Sequence, residues 1–261
     1  MKNIFINILK PNFFNVIIKK IVKKFEKNTS VDALKFAKLN TKFTTEEFCR
    51  SIDQLLYEEI LPDISDIEKE AKEKLSKLGV SLGGGGNYIL LYFLVRKLKP
   101  NIVVETGVAA GWSSLAILTA FTKNKKGKLY SSDFPYFRLK NPEQYVGYLA
   151  KDEINKINWF LDVRGDELAI PEILKRIGDD SIDLFHYDSD KSYSGRDMVL
   201  KNLDKKINSK TITIFDDIQN NLHFKNLIEK TKKDYCILKF KGKYLGILGA
   251  NFLLKNDHVY S

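Results

Sequence analysis

The sequence predicts an α/β fold: a doubly wound, mostly parallel sheet of seven strands that ends in an antiparallel hairpin, preceded by a helical extension. Three observations carry this reading. From residue 101 onward, short apolar runs alternate with helical patterns. The runs are continuous rather than alternating, as in strands covered by helices on both faces. The last two runs are separated only by Lys241, Gly242 and Lys243, too few residues for a crossover, so they form a hairpin.

The elements follow in order. Residues 12–27 read as an amphipathic helix, with Phe13, Val16, Ile17, Ile21 and Phe25 near one face and Lys19, Lys20, Lys23, Lys24 and Lys27 on the other. Such a helix can lie on an anionic membrane surface, or pack on the main domain or a second subunit. Residues 44–78 look helical, opened by Thr44 and Thr45 before Glu46 and Glu47, and Pro62 is expected to separate two helices. Gly83 to Gly86 force a loop, and a helix from Tyr88 to Leu98 stops before Pro100. The predicted strands are Ile102–Glu105, Leu129–Asp133, Trp159–Val163, Ile182–Asp188, Thr211–Asp216, Tyr235–Phe240 and Tyr244–Leu248. Helical segments at 112–122, 142–156, 168–177, 195–206 and 220–231 join them. Residues 1–77 are read as a basic helical extension and 78–261 as the main domain.

Composition narrows the function. A chain of 261 residues that is 44% hydrophobic can bury a large core and is too apolar for disorder. The net charge of +10 is concentrated at the start: residues 1–27 hold seven lysines and one acid, Glu26. The remainder holds 36 basic and 32 acidic side chains, with only six arginines. So little charge gives a polyanion weak attraction, and no nucleic-acid partner is expected. Cys49 and Cys236 have no metal-ligand spacing and read as small apolar side chains. No apolar run reaches the roughly 18–20 residues of a membrane span and no cleavable signal is seen. The expectation is a soluble cytoplasmic chain, peripheral at the inner membrane surface at most, through residues 12–27.

The chemistry gathers at strand ends. The first strand runs into Glu105-Thr-Gly107-Val-Ala-Ala-Gly111-Trp-Ser113-Ser114 and then a helix. Glycines there let a ligand approach the backbone, and the helix start offers free N–H groups. The spacing is neither that of a dinucleotide fingerprint nor that of a phosphate-binding loop. Asp133 closes the second strand, placed to accept from ribose hydroxyls. The fourth strand ends in His186-Tyr-Asp188-Ser-Asp190-Lys191-Ser-Tyr193 and the fifth in Asp216-Asp217. Two neighbouring strands thereby deliver Asp188, Asp216 and Asp217 to one sheet edge. Clustered carboxylates repel unless neutralised, and oxygen donors suit Mg²⁺ or another hard divalent cation.

These motifs, in this order over roughly residues 80–250, resemble the class I S-adenosylmethionine-dependent methyltransferases with their Rossmann-like sheet. Within them the sequence is most similar to the family 24 branch and to catechol O-methyltransferase-like enzymes. The resemblance implies that Glu105, Gly107 and Gly111 frame the methionine part of S-adenosylmethionine, with Ser113 or Ser114 near its carboxylate. It implies Asp133 on the ribose and Asp166 beside the adenine. It further implies that Asp188, Asp216 and Asp217 hold a divalent metal which also binds the acceptor hydroxyl.

Two departures from the family pattern stand out. Many family 24 members have histidine where this chain has Lys191, whereas catechol-type enzymes have lysine, so Lys191 is taken as the base beside Asp188. The third metal ligand of the catechol type is Asn, here Asp217. His186 lies inside a strand and is read as a satisfied core histidine. Tyr136, Arg138, Tyr193 and His223 are candidates for acceptor contacts, His258 carries no motif, and Trp112 is expected near the cofactor turn. The expected reaction is methyl transfer to a hydroxyl of a small molecule or a glycan sugar. The rivals are a non-catalytic scaffold that keeps the fold and a nucleic-acid methyltransferase. The N-terminal helices offer surfaces for a homo-oligomer.

Overall fold

A computed structural model describes residues 26–154, 158–249 and 253. The expected helix over 12–27, apart from Glu26 and Lys27, and its membrane or subunit contacts lie outside the described residues, as does His258.

In chain order the elements are α1 (Ser30–Asn40), β1 (Thr41–Thr44), α2 (Thr45–Ser76), α3 (Tyr88–Leu98), β2 (Ile102–Thr106), α4 (Trp112–Asn124), β3 (Lys128–Ser132), the short α5 (Lys151–Ile154), β4 (Trp159–Asp162), α6 (Asp166–Ile177), β5 (Leu184–Tyr187), α7 (Tyr193–Leu203), β6 (Ile212–Phe215), α8 (His223–Thr231), β7 (Tyr235–Phe240) and β8 (Lys243–Leu248). One sheet runs β1-β7-β8-β6-β5-β2-β3-β4. Only β8 is antiparallel to its neighbours β6 and β7. The chain winds outward from β2 to β4, then returns to β5 and leaves the other way. The crevice between β2 and β5 is therefore the switch point where ligands of such sheets bind.

All seven expected strands are present, and the sheet has an eighth. Thr41–Thr44 pairs parallel with β7 at the edge. This strand is short and alternately half-buried and exposed, so it carries no apolar run to announce it.

Two helical expectations are corrected. The helix α2 continues through Pro62, and its break falls at Asp53, whose backbone is extended at φ −162°, ψ 94°. The Asp53 carboxylate accepts from the Leu56 amide at 2.9 Å, capping the second stretch as an N-terminal acid does. Ile60, Ile64, Ile67 and Ala71 then bury one side of that stretch on both sides of the proline. Where one helix was expected over 142–156, the described residues 142–154 form two single 3₁₀ turns and the short α5. The interruption is Gly147, at φ 66°, whose amide donates to the Ala109 carbonyl and draws the segment over the glycine turn.

The two faces of the sheet carry separate cores. Val103, Leu184, Ile212 and Ile214 pack with α2, α3 and α4, including Phe48, Phe93 and Leu115. Val104, Phe185, Tyr187 and Phe215 pack with α6, α7 and α8, including Ile173, Val199 and Phe224. Side-chain alternation then decides the site: Glu105 on β2, His186 and Asp188 at β5 and Asp216 after β6 follow Val103, Leu184 and Ile214 by twos, and so share the first face.

Candidate active site

The turn after β2 is built by two glycines and one aspartate. Gly107 stands at φ 84°, and a Cβ there would lie 2.5 Å from the Asp188 carbonyl, so the β2 and β5 ends touch only because position 107 has no side chain. Gly111 begins α4 at φ 95°, against Gly147. Between them the amides of Val108 and Ala109 donate to Asp133 at 3.0 and 2.6 Å, and Phe134 donates to its other oxygen at 2.6 Å. Desolvation pushes the Asp133 carboxyl up to about 6 despite these bonds. Asp133, expected on a ribose, thus holds the turn from the end of β3.

Neighbouring groups are equally tied. The fully buried Glu105 accepts from the Ser114 and Ser131 hydroxyls at 2.6 and 3.0 Å, both on Oε2. Ser113 is buried at the start of α4. Asp166, the first residue of α6, accepts from Ser132 and Ser189 at 2.6 Å each and so links the ends of β3 and β5.

Beyond β5 and β6 the acids converge, though not all three together. Ligand atoms of His186, Asp188 and Asp216 lie within 4.8 Å of one another. A Cβ on Gly86, at the end of the glycine loop, would sit 3.2 Å from Asp216 Oδ2, 3.3 Å from Asp188 Oδ2 and 3.9 Å from His186 Cε1. These groups therefore face one small space that glycine leaves open. Burial, then the Asp188 charge, raises the Asp216 carboxyl to about 6. Asp217 is not in this group. It stands at φ 52°, and its carboxylate meets Lys243 at 3.2 Å, Gln219 at 3.1 Å and Lys191 at 3.4 Å. Burial works to raise its pKa, but Lys191 and Lys243 prevail and hold it below the usual carboxylate range.

Lys191 reaches the cluster, donating to the Asp188 carbonyl at 2.8 Å and pairing with the Asp188 carboxylate. His186 is not the satisfied core histidine that its strand position suggests. It is 1% exposed, and its Nδ1 has no hydrogen-bond partner. Burial alone would lower its pKa, but Glu105, Asp188 and Asp216 more than offset this and leave it raised. Below the cluster lies Arg196, fully buried on α7, with one nitrogen donating to the carbonyls of Asp216 and Asp217 at 2.9 and 3.0 Å. Sequence inspection passed over this residue, because nothing in the helix pattern marks it.

Residues 104–218 match the family profile described as a methyltransferase domain. The match spans 115 of the 261 residues and takes in the glycine turn, Asp133, Asp188, Asp216 and Asp217. Solved structures agree on the fold. The chain is similar to an O-methyltransferase from Bacillus cereus in complex with SAH (TM-score 0.56, 13% identity, 78% of this chain and 99% of that one). It is also similar to an SAH-bound methyltransferase from Podospora anserina (TM-score 0.54, 14% identity, 70% and 86%). A third is the SAM complex of an O-methyltransferase from Streptomyces achromogenes involved in tomaymycin synthesis (TM-score 0.52, 15% identity, 70% and 88%). No curated protein sequence matches this chain.

Several outlying candidates have structural partners. Tyr136 donates to the Leu82 carbonyl at 3.0 Å and anchors the glycine loop. Trp112 packs under Gly85 and against Tyr88, with ring centroids 5.1 Å apart. His223 is buried with its ring 5.0 Å from that of Tyr193, and burial holds it down to about 4. Arg138 is exposed beside the Phe137 ring. Cys49 and Cys236 are buried free thiols. Among the described residues no helix is long and apolar enough to cross a membrane.

Proposed function

We propose that this methyltransferase moves the methyl group of S-adenosylmethionine to a hydroxyl oxygen of a small molecule or glycan sugar, with a divalent cation at the acceptor. One observation carries the reading: Lys191, Asp188, Asp216 and His186 converge at the ends of β5 and β6, immediately beside the glycine turn. The SAH and SAM in the solved relatives support the donor.

S-adenosylmethionine supplies an electrophilic sulfonium methyl, and a bound divalent cation such as Mg²⁺ makes a hydroxyl more acidic. The residues of the chain do the rest. The Gly107–Gly111 turn and the α4 start receive the methionine part, with Glu105 fixing Ser114 behind it. Asp133 and Asp166 line the ribose and adenine side. Asp188 and Asp216 fit a cation, since the space before Gly86 is bounded by their oxygens and by the edge of the His186 ring. Asp217, with its two lysines, acts on charge and position around Lys191. Lys191, in its neutral amine form, accepts the hydroxyl proton and becomes the ammonium paired with Asp188, and holding oxygen and methyl in line lowers the remaining barrier.

Calorimetric titration with S-adenosylmethionine, with and without Mg²⁺, tests the reading, alongside Asp133→Ala. Micromolar binding weakened in the variant is expected, followed by metal-stimulated methylation of hydroxyl acceptors. Absence of binding under both conditions would overturn it.

A further inference from the structure

We propose that His186 is a cation ligand through Nε2, oriented from behind by Glu105, and that the site therefore selects a transition-metal ion of the Co²⁺ or Fe²⁺ kind over Mg²⁺. This rests on the divalent-cation reading above and changes its donor set.

The geometry begins with strand register. β2 and β5 run parallel with Glu105 directly opposite His186. Both side chains sit on the face that carries Asp188 and Asp216. Glu105 spends Oε2 on two serine hydroxyls, which pins the carboxylate and leaves Oε1 with no partner. That oxygen lies 3.7 Å from His186 Nδ1, itself without a partner. Two buried orphan atoms face each other just beyond hydrogen-bond range. An unmade bond between buried polar groups is costly, and a shift of well under an ångström would close it.

With Nδ1 turned to Glu105, Nε2 is the nitrogen left for the space shared with Asp188 and Asp216. A metal-bound histidine commonly donates its other N–H to a carboxylate, which fixes the ring and makes the ligating nitrogen more basic. Glu105, His186 and the open space before Gly86 have this arrangement. The donor chemistry then decides the ion. Mg²⁺ is held by oxygens and waters, whereas imidazole favours the later divalent transition metals. Asp217, the oxygen donor expected to complete a set of three carboxylates, is engaged by Lys243 and Lys191 instead.

The test is calorimetric titration of the metal-free full chain with CoCl₂ and MgCl₂, with and without S-adenosylmethionine, together with the visible spectrum of the Co²⁺ form. Wild type should bind Co²⁺ at least ~10-fold more tightly than Mg²⁺. His186→Phe should lose that preference and alter the Co²⁺ bands. Glu105→Gln, which keeps the serine bonds, should weaken Co²⁺ by about 10–100-fold. It also decides the matter if His186→Phe fails to fold. Equal affinity of wild type for the two ions, or an unchanged preference in His186→Phe, would overturn the proposal while leaving a carboxylate metal site intact. Wild-type affinity in Glu105→Gln would overturn the orienting role. No binding of either ion to wild type would overturn this proposal and the cation reading together.

Discussion

Ala109 stands at φ 48° with its amide 2.6 Å from the carboxylate of Asp133. A side chain on β3's end thus holds a residue of the β2 turn in a conformation that alanine rarely adopts. The same carboxyl keeps its proton to about pH 6, against an ordinary 3.8. A carboxyl raised in the folded state contributes stability that is present below the unfolded value and lost as pH rises through the folded one. Urea unfolding from roughly pH 4 to 6 should therefore show wild type losing stability relative to Asp133→Asn as pH increases. Parallel curves would refute the raised carboxyl.

Gly107 and Gly86 should separate folding from ligand space. Gly107→Ala places a Cβ against the Asp188 backbone at a positive φ, and should cost about 2 kcal/mol or more in denaturant unfolding. Gly86→Ala meets only carboxylate ends at 3.2 and 3.3 Å. It should unfold close to wild type while binding divalent cation more weakly. A large stability loss in Gly86→Ala would contradict this.

Arg196 donates to two consecutive carbonyls, one of them on the left-handed Asp217. Arg196→Met takes one donor from each carbonyl, leaving Asp217's with the Asn220 amide at 3.1 Å, and removes a buried positive charge beneath three acids. Destabilisation of about 1–3 kcal/mol is expected by urea unfolding. The orphaned Nε and Nη1 of Arg196 oppose this, because their burial costs stability that methionine would recover. Unchanged or increased stability in Arg196→Met would mean that this cost outweighs the clamp.

Lys191→Met should lower turnover by about 10²–10⁴-fold, the usual weight of a general base. Affinity for S-adenosylmethionine should stay near wild type, since Lys191 contacts the acid cluster rather than the glycine turn. Turnover at the wild-type level would remove Lys191 from the base role.

Much of the fold was legible because buried parallel strands are written as continuous apolar runs and each ligand-side turn is marked by Gly or Asp. The strand Thr41–Thr44 was not, having Phe43 as its one apolar residue and being only four residues long. Pro62 misled because proline is the stronger breaker locally, while burial of Ile60 and Ile64 keeps the helix whole around it. In the site, the residue types at the strand ends could be read, but their pairing could not. That Glu105 faces His186 depends on strand register, and that Asp217 turns toward Lys243 depends on one positive φ; neither leaves a trace in spacing.

The edge strand β1 has a practical meaning for anyone shortening this protein. It supplies the backbone partners of β7 at the border of the sheet, and α2 after it roofs the core with Phe48, Ile52 and Ile60. A fragment beginning at residue 78 would bare both a row of unpaired peptide groups and an oily slab. Such borders recruit further copies of themselves. Trimming the chain to residue 78 should therefore yield aggregates.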